Sequence, residues 1–241
     1  MLNIAGMSKL STVDWPGNLS MTLFLQGCPW RCNYCHNSDI LDPSVPGEIS
    51  FEEDVLPFLE SRVGLLDAVV FSGGEPTLQS NDEDGGELLQ AIRRVRAFID
   101  KTTGKPAFKI GLHSAGAYTN RLKIILRELD WIGFDVKAPV GMYDKITNIK
   151  GSDLVGMRSL QTVLQEQEFR KNTDRPLSVT FRTTIDPTVM SNDDVKRLVK
   201  QLSEKGIDNL VLQDVRTIGS PADYPAKFAK ATGQNIEEVM R

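Results

Sequence analysis

The sequence predicts an α/β protein built on a parallel sheet, and three observations lead there. Short apolar or β-branched runs alternate with longer amphipathic stretches along the chain. The runs show little period-two alternation, as in strands covered on both faces. Polar and glycine-rich residues gather at the carboxyl ends of these runs, where parallel α/β folds collect their chemistry. Repeated strand–helix alternation implies right-handed crossovers. Six strands fall short of a closed eight-stranded barrel, so an open partial barrel and a flat doubly wound sheet both fit.

Strands are expected at Leu19–Gln26, Ala68–Ser72, Lys109–His113, Trp131–Val136, Leu177–Thr184 and Asn209–Gln213. The first helix is expected over Glu52–Leu66, with Pro57 marking a start near that residue. Glu87–Ile99 places Leu88, Leu89, Ile92, Val95 and Ile99 on one face. Asn120–Leu129, Leu154–Phe169 and Asp193–Lys205 complete the series, with Ser191 as the cap of the last. No Gly/Ser-rich linker divides the chain and no repeat is evident, so one domain is expected over residues 1–241.

Composition narrows the function. A net charge of -4, with Lys and Arg scattered, gives no electrostatic reason for a nucleic-acid partner. No apolar run nears the roughly 18 residues of a membrane span, and the first residues lack a signal-peptide order, so the cytoplasm is expected. Three cysteines packed within eight residues argue against a disulfide framework and for metal ligation.

Those cysteines, Cys28, Cys32 and Cys35, are spaced C-x3-C-x2-C directly after the first strand. Such a loop can wrap three corners of a cubane cluster and leave one iron open. The alternative is a zinc site completed by His36, but His36 abuts Cys35, whereas zinc sites usually draw ligands as separated pairs. Gly73-Gly74-Glu75-Pro76 ends the second strand, where adjacent glycines allow close approach to a ligand or simply make a tight turn. Asp135 and Lys137 lie two apart and so share a side, either as one site or as an internal ion pair. Trp131 is expected in the core. Trp30 either shields the cysteine loop or lies at the surface.

The cysteine motif with Tyr34, followed in order by Gly73-Gly74-Glu75-Pro76, resembles the radical S-adenosylmethionine superfamily. Within it the chain resembles glycyl-radical-enzyme activating proteins, and among these the activating proteins of anaerobic ribonucleoside-triphosphate reductases. Ser11–Gly17, Phe24–Cys28, Tyr34–Asn37, Gly111–Tyr118, Gly133–Pro139 and Phe181–Thr184 carry this resemblance, which runs from about Ser11 to Gly219.

The resemblance implies a partial (β/α)6 barrel holding one [4Fe–4S] cluster on Cys28, Cys32 and Cys35, with S-adenosylmethionine on the open iron. It sets Tyr34 and His36 along the adenine, and Gly74 and Glu75 by the methionine amino group, with Gly73 a further cofactor contact. Asp135 and Lys137 match a motif that holds the methionine carboxylate, in related enzymes partly through a monovalent cation. Ser114, Arg182 and Gln213 complete the implied cofactor contacts. Related enzymes carry Asp-Thr-Asn-Gly where this chain has His113-Ser114-Ala115-Gly116, which removes a carboxylate from that cation site.

The implied reductant is flavodoxin or ferredoxin, and the implied partner a glycyl-radical enzyme, anaerobic ribonucleotide reductase first. A radical enzyme acting on a small molecule and a zinc-stabilised module without catalysis are the competing readings. Residues 220–241 form an extension beyond the core, either a helix over one end of the barrel or a partner-binding tail.

Overall fold

The fold, seen in a computed structural model that describes residues 1–236, is built on one open sheet of seven strands. The strands in chain order are β1 (Ile4–Ser11), β2 (Ser20–Leu25), β3 (Ala68–Gly73), the hairpin pair β4 (Ile99–Asp100) and β5 (Lys105–Pro106), β6 (Lys109–Ser114), β7 (Trp131–Asp135), β8 (Ser178–Ile185) and β9 (Val211–Asp214). The main sheet runs β1-β2-β3-β6-β7-β8-β9, and β2 through β9 pair in parallel. These are the six expected strands. β1 is an addition, antiparallel on β2 and interrupted by register shifts. Its sequence, with Gly6, Lys9 and two serines, has little strand pattern of its own, so the partner strand supplies what propensity does not.

The helices are α1 (Leu56–Glu60), α2 (Gly86–Arg96), α3 (Thr119–Leu126), α4 (Tyr143–Thr147), α5 (Ser152–Arg170), α6 (Asn192–Ser203) and α7 (Tyr224–Thr232). α6 begins as expected, with Ser191 and Asp194 closing a capping box. Three expectations need correction. The helix over Glu52–Leu66 is a π turn over Phe51–Val55 followed by the short α1, because Pro57 has no N–H to give and Val55 N reaches back to Ser50 O instead. The helix expected to reach Ile99 stops at Arg96, and Ile99 pairs with Pro106 in the hairpin. The last strand is not covered on both faces: Val211 and Leu212 are 43% and 45% exposed, since β9 is a sheet edge.

Alternate residues divide the inner strands into two faces. Met21, Leu23, Leu25, Val69, Phe71, Ile110, Leu112, Ile132, Phe134, Val179 and Phe181 join the helices in the main core. The opposite face carries a separate small cluster of Trp15, Ala68, Val70 and Trp131 at the amino end of the sheet. Trp15 and Trp131 stack there with centroids 5.1 Å apart and planes 15° apart. Gly111 leaves the room, since a Cβ on it would lie 2.9 Å from the Trp15 ring and 3.0 Å from that of Trp131.

The extension after Gly219 forms α7. Its Tyr224 is 1% exposed and donates to Asp186 Oδ1 at 2.7 Å, just beyond the carboxyl end of β8. The remaining residues of that extension, 237–241, lie outside those described. Among the described residues no helix is long and apolar enough to cross a membrane.

Candidate functional site

The cysteine loop and the Gly-Gly turn meet at the carboxyl ends of β2 and β3. Glu75 N donates to Gly27 O at 2.9 Å, and a Cβ on Gly74 would lie 2.2 Å from that same oxygen. Gly73, at φ 117, is equally tight against Leu25, where a Cβ would come within 2.2 Å of its nitrogen. Both glycines therefore seat one chain segment on another, and this close seating brings Cys28 beside Glu75.

Glu75 is 2% exposed. Its Oε1 accepts from Thr77 N, Thr77 Oγ1 and Ser114 Oγ at 3.2, 2.6 and 2.8 Å, and its Oε2 accepts from Ala115 N at 3.0 Å. One lone-pair direction on Oε2 stays free for a further donor. Ser114 is committed to Glu75 and to Gly116 N, so it steadies the carboxylate.

Cys28, Cys32 and Cys35 carry free thiols at this mouth. Burial pushes the Cys28 thiol up to about 12, with the Glu75 carboxylate adding to it, and the Cys32 thiol up to about 11 against the pull of Lys137. Burial also raises Cys35, while the Asn37 amide, Lys137 and Arg31 oppose it. Without metal all three are thiols, and binding iron means displacing their protons. The Trp30 ring is 4% exposed and meets Tyr143 edge-on at 6.3 Å, so it packs against α4.

Across the mouth, Asp135 and Arg182 are direct neighbours in the β7–β8 register. Arg182 Nε and Nη2 donate to Asp135 Oδ1 at 2.9 and 2.7 Å, and Lys137 Nζ donates to Oδ2 at 3.3 Å. Burial alone would raise the Asp135 carboxyl, but the Arg182 guanidinium and the Lys137 ammonium hold it far below its usual range. For Lys137 burial works downward, yet Tyr34, Asp135, Cys32 and Cys35 leave it well above its ordinary value. Its ammonium sits 5.8 Å from the centre of the Tyr34 ring.

His113 completes this inner face. Its Nε2 lies 2.7 Å from Asp14 O, which requires the proton on Nε2, and its Nδ1 lies 3.3 Å from Ser72 Oγ, which then donates to it. The Arg182 Nη1 contact at 3.4 Å is then donor to donor and adds no hydrogen bond. Burial, and next the Arg182 charge, lower the imidazole to about 4. Gly133 makes the space, since a Cβ there would lie 3.1 Å from His113 and 3.2 Å from the Arg182 guanidinium.

His36, exposed beside Cys35, lies within electrostatic reach of Lys137 and Asp135, and Gln213 is on the open edge strand paired with Thr184. The chain after β9 does return to the cysteine loop, where Ser38 N and Oγ donate to Gly219 O at 3.4 and 2.8 Å. Sequence reasoning missed Asp14, Asp186, Asn33 and Asn148. Of these only Asn148 has a local signal, an asparagine placed to end a short helix in a left-handed conformation.

The residues fit a cluster and its cofactor. The sequence holds three cysteines, all in this one loop, a set that leaves one iron of a cubane cluster open. Two buried polar atoms, Tyr34 Oη beside Lys137 and Asp186 Oδ2 on the Tyr34 side, have no partner, as expected beside a polar occupant.

The model of the radical SAM superfamily matches residues 22–165. The chain belongs to that superfamily. A Methanocaldococcus jannaschii protein named as a glycyl-radical enzyme activating enzyme is 25% identical over 205 residues, covering 83% of this chain and 75% of its own. The pyruvate formate-lyase-activating enzyme of Staphylococcus epidermidis is 30% identical over 138 residues, covering 53% and 54%. The crystal structure of QueE from Escherichia coli covers 88% of this radical SAM chain and 93% of its own, at 15% identity and a TM-score of 0.44.

Proposed function

We propose that this radical SAM protein is an activase that installs a glycyl radical on a partner enzyme, anaerobic ribonucleoside-triphosphate reductase being the first candidate. The observation that carries the reading is the meeting of Cys28, Cys32 and Cys35 with Glu75 and Lys137 at one open mouth. The names of the two relatives support the choice of a glycyl-radical enzyme as partner.

Cys28, Cys32 and Cys35 would hold a [4Fe–4S] cluster, leaving one iron for S-adenosylmethionine. When bound, the cluster supplies the electron that splits this cofactor into methionine and a 5′-deoxyadenosyl radical, with flavodoxin or ferredoxin as the donor. The protein's part is orientation and exclusion of water. The free direction on Glu75 Oε2 would take the methionine ammonium, with Gly73, Gly74 and Ser114 fixing that carboxylate. Lys137, held by Asp135, which Arg182 fixes in turn, would take the methionine carboxylate. Tyr34 and His36 would flank the adenine, and Gln213 would close the far side. No side chain is required as an acid or base. The open side between β1 and β9 would admit a glycine loop from a macromolecule.

The test is low-temperature EPR on anaerobically reconstituted, dithionite-reduced protein with and without S-adenosylmethionine. A reduced [4Fe–4S] signal that changes on adding the cofactor is expected. Stoichiometric zinc and no cluster signal would remove the reading. Glycyl-radical formation in a set of candidate reductases and lyases then identifies the partner.

A further inference from the structure

The crossover from β7 to α5 supplies Asp135 and Lys137, and it also reaches back to the cysteine loop. Its helix α4 is a single turn whose last carbonyls lack partners within the helix. Those carbonyls are taken by the cysteine loop. Arg31 N donates to Thr147 O at 2.8 Å, Asn33 N to Ile146 O at 3.1 Å and Asn33 Nδ2 to Lys145 O at 2.8 Å.

Asn148 closes the contact from the other side. It is the one non-glycine residue at positive φ, 56°, among those described. That left-handed turn carries its side chain to the loop, where Nδ2 donates to Arg31 O and to Asn33 Oδ1, both at 2.7 Å. Arg31 thus has both its N–H and its C=O engaged, and Cys32 lies between the two gripped residues. Beneath this contact Trp30 packs on Tyr143 of the same helix, and the hydrogen bonds of the exposed Arg31 and Asn148 add to that packing at the surface. What it fixes is the position of Cys32 and its neighbours relative to Lys137, which comes from the same crossover.

We propose that α4 and Asn148 clamp the cysteine loop into its metal-binding shape before iron arrives, making Asn33 and Asn148 positioning residues for the cluster. This rests on the reading of the site given above. A preformed loop has its backbone order in place before the ligand binds, so less ordering opposes binding.

The test starts with metal-free, full-length protein under reducing conditions, by amide hydrogen exchange. The Arg31 and Asn33 amides are expected to be protected in the wild type. Asn148→Gly keeps a backbone free to adopt the left-handed turn and removes only the side chain. It should speed exchange at both amides by roughly tenfold, the scale of a lost hydrogen bond. Asn33→Ala, which leaves α4 untouched, should do the same at Arg31. Asn148→Asp keeps the shape but replaces the donor with a carboxylate, and should not rescue. After anaerobic reconstitution the variants should show a broadened reduced-cluster EPR signal, which a loss of stability alone does not produce.

Unprotected Arg31 and Asn33 amides in the metal-free wild type would overturn the clamp, as would exchange unchanged in both variants. A wild type that is protected there yet takes up no cluster would instead remove the functional reading, leaving the clamp as a structural contact.

Discussion

The two faces of the same strands answer to different demands. On β7, Ile132 and Phe134 point into the helix-packed core, while Trp131, Gly133 and Asp135 point to the inner face. The outer face is filled mostly by large aliphatic and aromatic side chains, and its buried hydroxyls, Ser114 and Thr183, lie toward the carboxyl ends with their hydrogen bonds made. The inner face alternates glycines with ionised or hydrogen-bonded groups, and each glycine makes room for a neighbour's polar or aromatic side chain. The outer face is therefore expected to carry stability and the inner face chemistry, with His113 and Arg182 contributing to both.

The largest effect should come from the mouth. Cys32→Ala is expected to abolish the cluster, bringing S-adenosylmethionine cleavage to background while the urea midpoint of the metal-free protein stays close to wild type. Iron content and product chromatography check this, and a variant that retained full cleavage would break the division. Phe134→Ala on the outer face should show the converse. It should cost about 3–5 kcal/mol of stability, with the cofactor affinity of the folded fraction unchanged by equilibrium dialysis.

His113 sharpens the comparison through pH. Its imidazole titrates near 4 in the folded protein against an ordinary 6.5. Above pH 6.5 it is neutral in both states and costs nothing. Between 6.5 and 4 the unfolded chain takes up a proton that the folded protein refuses, so stability falls as pH falls. The loss should reach roughly 3 kcal/mol before levelling off. Urea denaturation at pH 7.5 and 4.5 should show this difference in the wild type and not in His113→Gln; parallel pH dependence in the two would count against a buried neutral imidazole. The smallest effect expected is that of Arg182→Met, about 2 kcal/mol, because Asp135 keeps Lys137 as a partner. Its Asp135 carboxyl should titrate higher by NMR, while added sodium or potassium partly restores cofactor affinity in the variant and leaves the wild type unmoved.

Much of this was legible in the sequence. Six parallel strands, the gathering of polar residues at their carboxyl ends and the cysteine loop all depend on local pattern. Reading the strands as without alternation hid the division of faces, because Ala68, Val70 and Trp131 look apolar whichever way they point. β1 was invisible because β2 supplies its partner groups. The loss of the helix beyond Arg96 and the α4 contact with the cysteine loop follow from tertiary pairing between distant segments. Asn33 and Asn148 are over a hundred residues apart, and no spacing rule joins them. Asp14 is similar, since its roles run through Thr22 and a backbone carbonyl to His113.

The stacked Trp15 and Trp131 indoles have one more consequence. They stack beneath His113, whose ring meets that of Trp131 at 5.2 Å, so the amino end of the inner face is filled with aromatic side chains. A cofactor would then be loaded and unloaded from the carboxyl ends of the strands, and a macromolecule resting there would hold spent methionine and 5′-deoxyadenosine in until it moves away. In a Trp30→Phe variant, the emission of the two stacked indoles would report on the amino end of the sheet without any added label.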